Sequence, residues 1–188
     1  MTAPLVVLDR QHIGKPSRPL DLGAEREGLA EAVLVRRYLA TAEDVLRAGG
    51  CVVVPMGDGD YSDRHARACA MRADVYVAGH VNAGGGSGGY AFYDSRSAAG
   101  HLLARAVAAR LGEFPELRGA SATACSGAAP WSNAWHTIRG VYEGRPVGLC
   151  YEPCFIDQPA HAPLFTSDGL VRVGTALARG ILDYLERP

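Results

Sequence analysis

Residues 27–54 read EGLAEAVLVRRYLATAEDVLRAGGCVVV. From Glu27 onward, Leu29, Ala32, Val33, Val35, Tyr38, Leu39, Ala42, Val45 and Leu46 recur at intervals of three and four, the spacing of one apolar helix face. Gly49-Gly50 stops that pattern, and Cys51-Val52-Val53-Val54 follows as a short buried strand ended by Pro55. The run Leu5 to Leu8 upstream has strand length, so the first third of the chain reads as strand, helix, strand. Between the first strand and the helix, Asp9 to Gly23 is a loop rich in Gly, Pro and Ser that carries His12.

The same alternation continues outward. Ser62 is expected to cap a helix reaching about Arg72, and Val75 to His80 to form a strand. Asn82 to Gly89 reads as a mobile glycine loop, Tyr90 to Tyr93 as a strand, and Ser95 or Ser97 as the start of a helix to Leu111. Residues 112–133 read as irregular; Trp135 to Val141 and Pro146 to Glu152 read as two strands joined at Gly144; a final helix runs from Ser167 to Leu185. Strands alternating with helices predict an α/β fold, a three-layer αβα domain with a largely parallel central sheet of about six strands and a site beyond strand carboxyl ends. The 188 residues, read as one domain over 1–188, suffice for one core.

Composition narrows the function. Nineteen basic against twenty acidic residues give a net charge of -1, which argues against nucleic acid as a partner. No apolar run approaches the roughly 20 residues of a membrane helix, so membrane insertion is not expected, nor is an obligate protein partner. Met1 leads almost at once into a strand rather than a signal segment, so the chain is expected to be cytoplasmic when made. The five cysteines (Cys51, Cys69, Cys125, Cys150, Cys154) have no zinc-ribbon or redox-pair spacing and are expected to be mostly free thiols. Lys15 is the only lysine, in a chain otherwise rich in arginine.

Familiar motifs fail. Gly84, Gly86 and Gly89 have dinucleotide-loop spacing, but a strand follows where that use needs a helix. There is no phosphate loop, nucleophile elbow or His-Glu-x-x-His helix. What remains is a set of polar residues at strand ends: His12 after Leu5 to Asp9, His80 after Val75 to Gly79, and Glu152 after Val147 to Tyr151. Adjacent strands would bring them to one rim, and Glu31 in the long helix could face it. Two imidazoles and a carboxylate suit a catalytic zinc, and a second carboxylate can move the proton. His65, His101 and His161 read as solvated, and Trp131 and Trp135 as either packing residues or stacking platforms for sugar or peptide.

These residues resemble a family. Asp9-Arg10-Gln11-His12-Ile13-Gly14 looks like the Asp-Pro-Gly-His-Gly-Gly opening of the type-3 class of zinc-dependent N-acetylmuramoyl-L-alanine amidases. Glu31, at its distance from Gly49-Gly50, is similar to that family's glutamate ligand, and is preferred on that ground over Glu25 and Glu27. Arg64, then Ala73-Asp74-Val75-Tyr76-Val77-Ala78-Gly79-His80-Val81-Asn82-Ala83, resembles the Arg and Ala-Asp-Leu-x-x-Ser-x-His-x-Asn-Ala signature; Glu152 to Gln158 resembles the Glu-x-Gly-Phe-x-x-Asn block. The match departs at Arg10, Gln11, Ile13, Cys154 and Gln158, which bears on the His12 loop and on substrate fit.

The resemblance implies a peptidoglycan hydrolase that cleaves the amide between N-acetylmuramic acid and L-alanine. His12, Glu31 and His80 would hold Zn²⁺, Glu152 would be the catalytic acid and base, and Asn82, His136 and Arg139 would contact substrate. With no export signal, the expected setting is a phage endolysin that acts on the wall after release. The alternatives are a zinc amidohydrolase or carboxypeptidase on another small peptide or amino-acid amide, and a non-catalytic wall-binding module. A cysteine nucleophile at Cys150 or Cys154 lacks a surrounding signature.

Overall fold

The computed structural model describes residues 2–142, 144 and 146–186. Its strands are β1 (Leu5–Arg10), β2 (Glu25–Arg26), β3 (Leu29–Ala30), β4 (Val52–Met56), β5 (Val75–Gly79), β6 (Gly89–Asp94), β7 (Ala120–Cys125) and β8 (Val147–Glu152). Its α-helices are α1 (Glu31–Ala48), α2 (Tyr61–Ala70), α3 (Ala98–Leu111), α4 (Ser132–His136) and α5 (Ser167–Leu185). Two 3-10 segments cover Arg139–Val141 and Pro159–Phe165.

Six strands form one sheet in the order β4-β1-β5-β8-β6-β7, and β2 pairs with β3 in a separate small hairpin. Neighbours in the main sheet run parallel except β6 against β8. The expected αβα architecture with a mostly parallel six-stranded sheet is therefore the observed one.

Both sheet faces are covered, which is why the strands read as continuous apolar runs. Val6, Leu8, Val75, Val77, Leu149 and Tyr151 join the cluster under α1, α3 and α5. Their alternates Val7, Tyr76, Ala78 and Cys150 join the cluster with Ala68 of α2 and Ala134 of α4. In α5, a Cβ on Gly174 would lie 2.2 Å from the Tyr38 carbonyl oxygen, and one on Gly180 would lie 2.6 Å from Val107 Cα. Those two glycines let α5 seat directly on α1 and α3.

Several local expectations differ from the structure. Helix α1 starts at Glu31 rather than Glu27, because Gly28 at φ +81° turns the β2–β3 hairpin first. Asp60, in a reciprocal capping box with Asp63, replaces Ser62 as the cap of α2, which ends at Ala70. β4 continues through Pro55 to Met56 at the sheet edge, where no partner needs the missing N–H. Trp135 to Val141 is not a strand but the end of α4 followed by 3-10 backbone: Ala134, Ile138 and Val141 are buried at helical spacing. The region expected to be irregular contains β7, an edge strand of small residues.

Three further expectations concern exposure and mobility. His65 and His161 are buried, each in hydrogen bonds, whereas His101 is exposed as expected. The glycine loop is tied to the chain beyond β8: Gly84 and Gly85 N–H donate to Asp157 Oδ2 at 2.8 and 2.9 Å, and the Gln158 amide donates to the Gly86 carbonyl. His161 accepts from the Phe155 N–H through Nδ1 and so donates through Nε2 to the Ser87 carbonyl. All five cysteines are free thiols. No helix among the described residues is long and apolar enough to cross a membrane.

Candidate metal centre and active-site cleft

β1, β5 and β8 are neighbours in the sheet and run parallel, so their carboxyl ends meet at one rim. His12 follows β1, His80 follows β5, and Glu152 is the last residue of β8. Glu31 reaches the same place as the first residue of α1, where the helix N-terminus favours a carboxylate. Glu25 and Glu27 are exposed on the hairpin.

His12, Glu31 and His80 converge, with donor atoms all within 4.8 Å of one another. Glu31 Oε1 lies 3.1 Å from His12 Nε2 and 2.9 Å from His80 Nδ1, and the two ring nitrogens are 3.3 Å apart. Neighbouring backbone holds the carboxylate: the Val81 N–H donates to Oε1 at 3.0 Å and the Ala24 N–H to Oε2 at 2.9 Å. Gly23, at φ +71°, lets the loop press this close, since a Cβ there would lie 2.4 Å from Glu31 Oε2. Tyr38 OH donates to the His80 carbonyl, fixing the end of β5.

The donor set has the composition and spacing of a metal site. His12 Nδ1 lies 3.0 Å from Asp21 Oδ1, so a neutral His12 donates there and turns the lone pair of Nε2 toward Glu31 Oε1. Two acceptors 3.1 Å apart need a positive charge between or beside them. A tetrahedral zinc site with bonds of about 2.0–2.2 Å spaces its ligand atoms about 3.3–3.6 Å apart. The observed triangle of 2.9, 3.1 and 3.3 Å is within a few tenths of an ångström of that, so the residues fit.

The electrostatics show the same demand for positive charge at the centre. Burial pushes the Glu31 carboxyl up, but hydrogen bonds from His12 and His80, with their charges, hold it well below the ordinary carboxylate range. Burial pushes His12 down, but hydrogen bonding and attraction from Glu31 and the Asp21 contact leave it raised. Burial keeps Glu152 above the ordinary carboxylate range, although the His80 charge opposes this.

The His12 loop is built on a buried ion pair. Arg64 and Asp9 are both fully buried, with Nη1 2.5 Å from Oδ1. Arg64 also donates to the carbonyls of Arg10, Ile13 and Gly59, bracketing His12. Gln11 and Tyr76 donate to the other Asp9 oxygen. This grip holds His12 at φ +66°, a left-handed conformation that a side chain rarely adopts. The Arg10, Gln11 and Ile13 departures therefore sit in a loop clamped from α2.

A cleft of about 920 Å³ opens over the rim, lined by His12, Glu31, His80, Glu152 and the three expected substrate contacts Asn82, His136 and Arg139. His136 is exposed at the end of α4 and Arg139 at the start of the following 3-10 segment, 5.4 Å from the Trp135 ring centroid. Asn82 is anchored by backbone bonds to Cys154 and Ile156. Trp131 packs on Phe92 and Tyr90, and Trp135 Nε1 donates to Asp94 at 2.9 Å, so both act as packing residues outside the cleft lining. Cys150 and Cys154 are buried with thiols pushed up by burial, which suits packing rather than nucleophilic attack. Sequence reading passed over Asp21, Lys15 and Tyr61. The one available signal was Lys15, the only lysine.

The fold and donor set define an α/β protein with a candidate single-metal His/Glu/His centre at the carboxyl rim of a parallel sheet. Residues 6–183 match the Amidase_3 family, described as N-acetylmuramoyl-L-alanine amidase, and the chain belongs to that family. No curated protein sequence matches it. Among solved structures, Cwp6 from Clostridium difficile is similar at TM-score 0.78 and 21% identity over 98% of this chain, which spans 30% of that one. The N-acetylmuramoyl-L-alanine amidase AmiC2 of Nostoc punctiforme gives 0.76 and 22% over 98% of both chains. The catalytic domain of the CD27L endolysin targeting Clostridia Difficile gives 0.71 and 16%, over 96% of this chain and 97% of that one. At these identities the likeness establishes the fold.

Proposed function

We propose that the chain is a zinc-dependent N-acetylmuramoyl-L-alanine amidase domain in which His12, Glu31 and His80 hold the ion and Glu152 moves the proton. One observation carries the reading: three converging donors that fit a cation, beside a half-buried carboxylate, in one cleft. Bound zinc supplies Lewis-acid polarisation of the amide carbonyl and activation of water. Asp21 and the Ala24 and Val81 N–H groups orient His12 and Glu31. Glu152, raised by burial, takes the proton from the attacking water as the new C–O bond forms. It returns that proton to the L-alanine nitrogen as the C–N bond breaks. Asn82, His136 and Arg139, which line the cleft, would contact the substrate.

The test uses protein purified without a metal-affinity tag, assayed for bound zinc and incubated with purified peptidoglycan with and without a chelator. The expected result is about one zinc per chain and chelator-sensitive release of L-alanine amino termini. Protein without zinc overturns the metal assignment. Zinc without that release overturns the amidase assignment in favour of another amidohydrolase or a binding module.

The proposed setting is that of an endolysin, made in the cytoplasm and acting on peptidoglycan after release. Host lysis with and without a pore-forming partner tests it, and lysis that needs no permeabilisation refutes it.

A further inference from the structure

Among nineteen basic residues the chain has a single lysine, and its placement is unusual. Lys15 is 5% exposed, although a lysine ammonium is ordinarily left in water. Its Nζ donates to Asp21 Oδ2 at 3.2 Å and to Tyr61 OH at 3.1 Å, and lies 4.5 Å from the Tyr61 ring centroid. The other Asp21 oxygen, Oδ1, takes the His12 Nδ1–H and the Gly23 N–H, each at 3.0 Å. A continuous chain of contacts thus runs from Tyr61, the first residue of α2, through Lys15 and Asp21 to His12.

We propose that Lys15, acting through Asp21, is a positioning residue for the metal centre, fixing the orientation and tautomer of His12. The inference rests on the metal reading above. Asp21 alone is held on one oxygen by groups of its own loop. Lys15 fastens the second oxygen to α2, the helix whose Arg64 also clamps the backbone around His12. The ammonium also neutralises Asp21, so His12 gains a carboxylate partner without net charge being added beside the centre.

Chemistry explains why this basic position is a lysine. The pocket offers an ammonium one carboxylate oxygen, one phenol oxygen and one ring face. A compact group with three donors fits that set. A planar guanidinium would bring five donors and leave several buried without acceptors.

The test is zinc affinity, measured by competition with a chromogenic chelator, in the parent and in Lys15→Met, Asp21→Ala, Asp21→Asn and the Lys15→Met/Asp21→Asn double variant. Melting temperatures of the zinc-free proteins are measured in parallel. Asp21→Ala should weaken zinc about 10–100-fold, the usual effect of losing a partner behind a ligating histidine. Lys15→Met should weaken it by a smaller factor. In Asp21→Asn the single amide oxygen can occupy only one of the two carboxylate positions, facing either His12 and Gly23 or Lys15, so removing Lys15 leaves it to His12 and should restore part of the affinity. That reversal is what a merely structural role would not produce. The isosteric asparagine variants keep the test decisive if Asp21→Ala fails to fold. Lys15→Met binding zinc as tightly as the parent, or the two single effects simply multiplying in the double variant, overturns the proposal. A parent that binds no zinc overturns the metal reading itself, a distinguishable failure.

Discussion

Gly23→Ala, compared with Gly28→Ala, separates a backbone cost from a cost at the candidate metal centre. Both glycines are left-handed, at φ +71° and +81°. Either alanine therefore carries a conformational penalty of about 1–2 kcal/mol. They differ in what the new Cβ meets: nothing within 4 Å at Gly28, but at Gly23 the Glu31 Oε2 at 2.4 Å and the Glu31 Cβ and Cδ at 2.9 Å. A non-bonded carbon needs roughly 3.5 Å, so the Glu31 carboxylate must retreat by about 1 Å. That retreat breaks its bond from the Ala24 N–H, a hydrogen bond to a charged group worth about 1.5–3 kcal/mol. In urea unfolding of the zinc-free protein, Gly28→Ala should lose only the backbone penalty and Gly23→Ala both contributions. In chelator competition, Gly28→Ala should bind zinc like the parent, while Gly23→Ala should bind it at least about tenfold more weakly. Equal zinc affinity in the two variants would refute the argument that this loop sets the position of Glu31.

Arg64→Met should cost about 3–5 kcal/mol in denaturant unfolding at neutral pH, because Asp9 is left charged and fully buried. Burial already outweighs Arg64 and holds the Asp9 carboxyl above its ordinary range, so the deficit should shrink toward acid pH as Asp9 takes up a proton; a deficit that grows there contradicts this account. His65 has the opposite sign for a base: burial, only partly offset by its bond to the Thr137 carbonyl, lowers its pKa below 6.5. Its contribution to stability should be complete above about pH 6.5 and fall with further acidification, by at most about 1.4 kcal/mol per pH unit. His65→Asn should flatten that part of the unfolding profile, and an unchanged slope would show that His65 is not the group responsible. Glu152→Gln should keep its zinc and lose about 10²–10⁴-fold in turnover of peptidoglycan; full activity would remove Glu152 from the proposed mechanism.

Elements with a strong period were legible along the chain. The apolar stripe of α1 and the unbroken runs of β1, β5 and β8 fixed the α/β alternation, since burial on both faces leaves a hydrophobic record at every position. Weak patterns misled. β7 holds only small and polar residues at a sheet edge, and the short run Trp135 to Val141, with its aromatic and β-branched residues, reads as a strand although Ala134, Ile138 and Val141 turn one helical face inward. His65 and His161 read as solvated because a histidine shows nothing in sequence of the carbonyl that will receive its proton.

The sequence by itself determined the layers of the fold and placed polar residues at three strand ends, because hydrophobic period and strand termini are local properties. Only the tertiary structure decided that β1, β5 and β8 lie side by side, that His12 and His80 share one Glu31 oxygen, that Arg64 reaches from α2 to clamp the backbone around His12, and that Lys15 joins Asp21 to Tyr61 of α2. Those contacts join residues up to 72 positions apart, as between Val75 and Val147. Strand order and burial select such partners, and neither is encoded in the identity of the residues at the two ends.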